Sequence, residues 1–371
     1  MIRARATALL VAAGVAAFAL AGCGGGDEPA AESTTAATTT TAAPSGAELE
    51  GVKDYLLDHT DLLTSFTAQF KADAESYRDL AESAGFDYET LWSEHASELK
   101  LLLEGMKADW IAGNPYYEQM EGVVAGTPSL AEYDVILDAG SSAAEDPESA
   151  VPFDLELADG TTLKQPGNLF NLTEGALWGT LPADLPRGTP VDLDGSGSVD
   201  FGEVLPDALF LAAAAEAFDT YAGELSAAAR DWQPSESDAF TALVVMVPTM
   251  SEYFGQWKES RFVLGESSQA ESFNVVSRLS DINDILTGLE VIFAGVEHRL
   301  AEVDPAQAGQ TGRELSDLRA FVEDLHSRER SGERFRPEQA EVLGTEAQER
   351  ATAIAGQVSQ AAAELGVAIE Q

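Results

Sequence analysis

The sequence predicts a mainly α-helical fold: a helical bundle, built as one large domain or as two helical halves, with a small irregular insertion that includes a β-hairpin. Three observations predict it. Apolar residues recur at helical spacing on both sides of the insertion. Residues 140–203 lose that spacing and fill with prolines and turn residues. About 320 residues follow the N-terminal segment, enough to bury a substantial core.

The chain has 371 residues and opens on MIRARATALLVAAGVAAFALAGCGGG. Arg3 and Arg5 precede an apolar stretch over 6–20, the pattern of a secretion signal. That stretch is too short, and its side chains too small, for a good membrane-spanning helix. Leu20-Ala21-Gly22-Cys23 resembles the bacterial lipobox, which implies that Cys23 becomes the lipidated first residue of the mature chain. Cys23 is the only cysteine, so no internal disulfide can form. Residues 1–22 are thus read as a lipoprotein signal peptide. Residues 23–48, rich in Thr, Ala and Gly and almost free of large apolar side chains, read as a flexible tether. A helical metal-binding domain is expected over 49–371, with an insertion at 140–203.

Within that domain Leu56, Leu63, Phe66 and Phe70 share one face of a first helix that ends at Gly85. A second helix closes at Gly113, and Asn114-Pro115 reads as the cap and first residue of another. Ser129 starts a short helix running to Gly140. In the insertion, FDLELADGTTLKQPG alternates apolar and polar around Asp159-Gly160, a hairpin signal. Pro152, Pro166, Pro182, Pro186 and Pro190 exclude long helices there. Helices are expected again over 205–231, 235–261, 270–301, 308–330 and 337–369.

The insertion ends in VDLDGSGSVDFGEV, residues 191–204. An EF-hand-like calcium loop needs oxygens at positions 1, 3, 5, 9 and 12, a backbone carbonyl at 7 and Gly at 6. Asp192, Asp194, Ser196, Asp200 and Glu203 meet the first demand, Ser198 supplies the carbonyl, and Gly197 makes the turn. Val199 is placed to anchor the loop. Ca²⁺ is therefore an expected ligand, with Glu203 bidentate. The proline-rich stretch before the loop cannot supply the usual entering helix, which argues for a structural role rather than a switch.

Charge narrows the partners. The chain carries 21 Lys+Arg against 64 Asp+Glu, a formal net charge of −43. Such a chain does not bind nucleic acid or an anionic lipid surface by charge, and it attracts cations. Membrane association would come through the lipid on Cys23.

Two stretches, Trp110 to Gly140 and Tyr253 to Glu297, look like segments of the algal iron-assimilation (phytotransferrin) proteins, a family with bacterial relatives. The resemblance implies capture of ferric iron at the cell surface with carbonate as a co-bound anion. A second resemblance is to imelysin-like and EfeO/EfeM-type periplasmic helical lipoproteins, whose hallmark is Gly-x-His-x-x-Glu. Here Ser93-Glu94-His95-Ala96-Ser97-Glu98 offers His95 and Glu98 three apart on one helix face, with Ser93 in the glycine's place.

The residue chemistry agrees with a hard cation. Fe³⁺ favours carboxylate and phenolate oxygen. Tyr116, Tyr117, Tyr133, Asp134 and Asp138 lie close in sequence, with Asp134 and Asp138 four apart, and Asp281 and Asp284 share a helix face. Lys258, Arg261 and Arg278 are cations in an acidic chain, and Lys258 and Arg261 are candidate anion holders. The expectation is a non-enzymatic, lipid-anchored iron-capture protein on the extracytoplasmic face of a bacterial membrane, passing its iron to a permease or reductase. The alternatives are a calcium-stabilised structural or adhesion lipoprotein and an imelysin-like peptidase. Neither Gly-x-Ser-x-Gly nor His-Glu-x-x-His occurs, and the histidines are dispersed at 59, 95, 298 and 326.

Overall fold

In helix α1 (Ala47–Ser83) the stripe Leu56, Leu63, Phe66 and Phe70 is buried, as its spacing predicts. Each such side chain contributes about 1.5–3 kcal/mol on leaving water. The computed structural model describes residues 47–370. The signal segment 1–22, Cys23 and the tether up to residue 46 lie outside the described residues. No described helix is long and apolar enough to cross a membrane.

Helix α2 (Tyr88–Val124) starts where Asp87 accepts the backbone N–H groups of Glu89 and Thr90. It does not stop at Gly113. It runs through Pro115, although proline cannot donate the helical hydrogen bond. Burial of Tyr117, Met120, Val123 and Val124 against the core outweighs the missing bond. Its backbone departs from helical geometry at His95 instead.

The short helix α3 (Ala131–Asp134) passes into one π-helical turn (Val135–Ala139). The insertion then holds the expected hairpin: β1 (Asp154–Glu156) pairs antiparallel with β2 (Thr162–Lys164). It also holds a ten-residue helix, α4 (Leu169–Trp178), capped by Asn168. Strands β3 (Thr189–Pro190) and β4 (Val204–Leu205) pair and close the base of the 191–203 loop. A two-residue ladder thus stands where an EF-hand has helices.

Helices return as α5 (Ala208–Asp231), α6 (Glu236–Met246), α7 (Met250–Glu259), α8 (Arg261–Leu264), α9 (Arg278–Val303), α10 (Pro305–Arg330) and α11 (Pro337–Leu365). The expected 235–261 helix is broken at Val247–Thr249, where Pro248 leaves helical geometry. The expected 270–301 helix begins only at Arg278, because residues 268–277 form an irregular strap. Phe273 takes a left-handed φ of 56°, and Glu174 of α4 accepts the backbone N–H groups of Phe273 and Asn274. Helix α1 packs on α2, α5 and α9, α10 on α9 and α11, and α11 on α6 and α7.

Candidate metal centre

Because α2 continues past Pro115, Asn114, Tyr117, Glu118 and Glu121 fall on one stripe, and all four are buried. A polar stripe this deep needs partners. Helix α9 supplies them by coming very close. A Cβ on Gly288 would lie 2.3 Å from the backbone oxygen of Gln119, so only glycine permits the approach. The N-terminal turn of α9 then sets Arg278 and Asp281 beside Glu118. From the other side, α3 and its π-helical turn bring Asp134 and Asp138, both buried.

Carboxylate oxygens of Glu118, Glu121 and Asp138 lie within 4.8 Å of one another. Glu118 Oε2 and Glu121 Oε2 are buried and have no hydrogen-bond partner among the described residues. Around them the polar groups are engaged. The Tyr253 hydroxyl donates to Glu121 Oε1 at 2.6 Å, and the Tyr117 hydroxyl donates to Asp134 at 2.7 Å. Asn114 donates to Asp281 at 3.1 Å. Arg278, 2% exposed, bonds Asp281 at 3.0 Å and Gln256 at 2.7 Å.

Burial, reinforced by the neighbouring acids, raises Glu118 and Glu121 well above the usual carboxylate range. Burial also raises Asp138, against the pull of Arg278. Burial pushes Asp134 up to about 7 even though the Tyr117 bond opposes it. Asp281 rises to about 6, burial again outweighing Arg278. Burial holds the Tyr117 and Tyr253 phenols well above their ordinary value. Burial works against the Arg278 charge, but Asp138, Asp281 and Glu118 more than restore it. The cluster opens into a cleft of about 810 Å³, whose walls include Glu121, Asp134, Asp138, Tyr253 and Arg278.

The other expected residues lie elsewhere. His95 faces Glu98 at 3.5 Å on the surface. Tyr116 and Tyr133 are half-buried, and Tyr133 is near Glu224 and Glu132. Asp284 accepts from Gln119, which also meets His59. Lys258 pairs with Glu259 and Glu341. The Arg261 guanidinium stacks 3.9 Å over Phe201. Glu118 and Glu121, which the sequence reading did not single out, are central.

In the 191–203 loop, Asp192, Asp194 and Glu203 place carboxylate oxygens within 4.8 Å of one another. Asp192 accepts the N–H groups of Gly195, Ser196 and Gly197, and Glu203 those of Asp194 and Asp200. Gly197 has the left-handed φ of 92° expected of it, whereas Val199, expected to anchor the loop to the core, is exposed. Ser196 bonds Ser198, and Ser198 reaches Asp200 at 3.4 Å.

The family model for imelysin (peptidase M75) matches residues 56–363. The chain belongs to the imelysin family. No curated protein matches it. The imelysin match spans every element that builds the cluster. A second stretch keeps part of the Gly-x-His-x-x-Glu spacing. Gly113-Asn114-Pro115-Tyr116-Tyr117-Glu118 keeps the glycine and glutamate at that spacing, with Pro115 in the histidine's place. Its glutamate is the buried Glu118, whereas His95 and Glu98 stay outside the cluster.

Proposed function

We propose that this imelysin-family chain is an extracytoplasmic, lipid-anchored binding protein that captures a hard metal cation, ferric iron, at Glu118, Glu121 and Asp138. The observation that carries this reading is the pair of buried glutamate oxygens without hydrogen-bond partners beside a third carboxylate. Buried acceptors left unsatisfied are unfavourable, and a cation bound by both, with Asp138 as a third ligand, satisfies the pair together. An all-oxygen donor set suits Fe³⁺. Glu145, Glu252, Glu259 and Glu271 line the same cleft and concentrate cations there. Tyr117 and Tyr253 are near enough to the acids to become ligands once their protons leave. The lipid on Cys23 and the tether read from the sequence would hold the domain at the membrane, where a permease or reductase could receive the iron. Among the described residues, those lining the cleft include no histidine.

The direct test is iron retention. Metal-free protein incubated with ferric citrate at neutral pH and desalted should keep about one iron per chain. Asp138→Ala should keep none. A visible charge-transfer band would add a tyrosinate ligand, and Tyr117→Phe or Tyr253→Phe would identify it. Wild-type protein that retains no iron overturns the proposal.

The 191–203 loop is proposed as a separate structural Ca²⁺ site, carried by the register of its seven ligand and turn positions. Calcium at a hundredfold above its Kd would add about 2.7 kcal/mol to stability. In a domain this size that is on the order of 5 °C in Tm. Glu203→Gln should remove most of that calcium-dependent rise and leave the Tm in chelator unchanged. Equal destabilisation with and without calcium would show that the loop holds no ion.

A further inference from the structure

Among the described residues lining the cleft, Arg278 is the only cationic one. Its guanidinium stands 3.8 Å from Glu118 and 3.7 Å from Asp138, two of the three proposed metal ligands. Those separations exceed hydrogen-bond length, so Arg278 acts on the two acids through charge rather than through direct bonds. Its short contacts go elsewhere, to Asp281 through Nη1 and to Gln256 through Nε. Its faces are covered by Phe273 at 3.6 Å and Tyr253 at 4.9 Å. The group is therefore clamped and cannot swing away when a cation arrives.

We propose that Arg278 is a built-in counter-ion that limits the affinity of the Glu118–Glu121–Asp138 site for its cargo, rather than the holder of a co-bound anion. The proposal rests on the metal-site reading above. Its physical basis is the charge arrangement. Without Arg278, five buried acids (Glu118, Glu121, Asp134, Asp138 and Asp281) would face one another with no cation among them. The fixed positive charge keeps the empty site assembled. When metal binds, the same charge repels it, and it repels a trivalent ion more than a divalent one in proportion to charge. A protein that hands its cargo on needs such a ceiling on affinity. An anion fits poorly here: Asp281 takes an N–H of Nη1 and Gln256 that of Nε, and the remaining nitrogen, Nη2, faces Asp138 at 3.7 Å, an acid that repels an anion.

The two roles predict opposite signs. Binding is measured at fixed pH with Mn²⁺ as a divalent probe and Tb³⁺ as a trivalent one, the latter by luminescence excited through nearby tyrosines. Arg278→Gln should bind Mn²⁺ at least about tenfold more tightly than wild type. The logarithmic gain for Tb³⁺ should be about one and a half times as large. Arg278→Lys keeps the charge and should stay within about threefold of wild type. Added bicarbonate should change none of these values. Unchanged or weaker binding in Arg278→Gln overturns the proposal. Should that variant fail to fold, the double variant Arg278→Met with Asp281→Asn removes the buried ion pair and conserves net charge. It should bind within about threefold of wild type, and a tenfold loss would overturn the counter-ion role. Wild-type protein that binds neither probe overturns both this inference and the metal site itself.

Discussion

Glu118→Gln is expected to abolish tight metal binding without weakening the metal-free fold. Glutamine keeps the shape and removes the charge. The affinity loss should be at least about 100-fold, since even groups that only orient metal ligands contribute 10–100-fold. For stability the expectation runs opposite to the usual one for a buried polar residue. Burial penalises the charged form of Glu118, and the neighbouring Asp281, Asp138 and Glu121 penalise it further. At pH 8, where the acids are most ionised, the variant should melt a few degrees above wild type in chelator. Such a gain is the signature of a site kept strained for function. The measurement is a pair of thermal melts, with chelator and with saturating Mn²⁺. A variant that melts lower in chelator and still binds metal would make Glu118 a packing residue.

The same residue marks where one-dimensional reading stops. The bundle was legible because its signals are local: the stripe from Leu56 to Phe70 and the hairpin turn at Asp159-Gly160 each depend on neighbours within a few residues. Tyr117, Asp134, Asp138 and Asp281 were legible as candidates and do meet in one cluster. Helical spacing fixes which residues share a face but not which face turns inward. That is why Asp284, three residues after Asp281, meets Gln119 instead. Glu118 and Glu121 were hidden among 64 acids, and an apparent helix boundary at Pro115 split the stripe that carries them. Their burial depends on a close approach at Gly288, 170 residues away from Glu118. The strap at 268–277 was hidden for a similar reason, since Glu174, about a hundred residues earlier, holds its backbone out of the helix.

The metal-free protein should lose stability as pH rises from 5 to 8, and bound metal should reduce that loss. Asp134 and Glu174 are pushed up to about 7, and Asp281 and Asp284 to about 6, by burial in each case. A carboxyl that holds its proton more tightly folded than unfolded stabilises the fold below its unfolded pKa. That contribution disappears as pH climbs through the folded value. For Asp134, raised to about 7, the part lost above pH 5 is about 3 kcal/mol. Below pH 4 the opposite groups take over, among them Asp154, lowered by its bond from Lys164, and Asp192, lowered by backbone N–H groups. The optimum in chelator should therefore lie near pH 5, with a fall on the order of 10 °C in Tm by pH 8. Saturating metal should reduce that fall, because Glu118, Glu121 and Asp138 ionise as its ligands and its charge favours the ionised forms of the neighbouring Asp134 and Asp281, while Glu174 and Asp284 keep their share of the loss. Metal affinity should fall as pH drops, since protons compete for the same oxygens. A Tm in chelator that climbs steadily from pH 5 to 8 would mean that the cluster is not an assembly of reluctantly ionised acids.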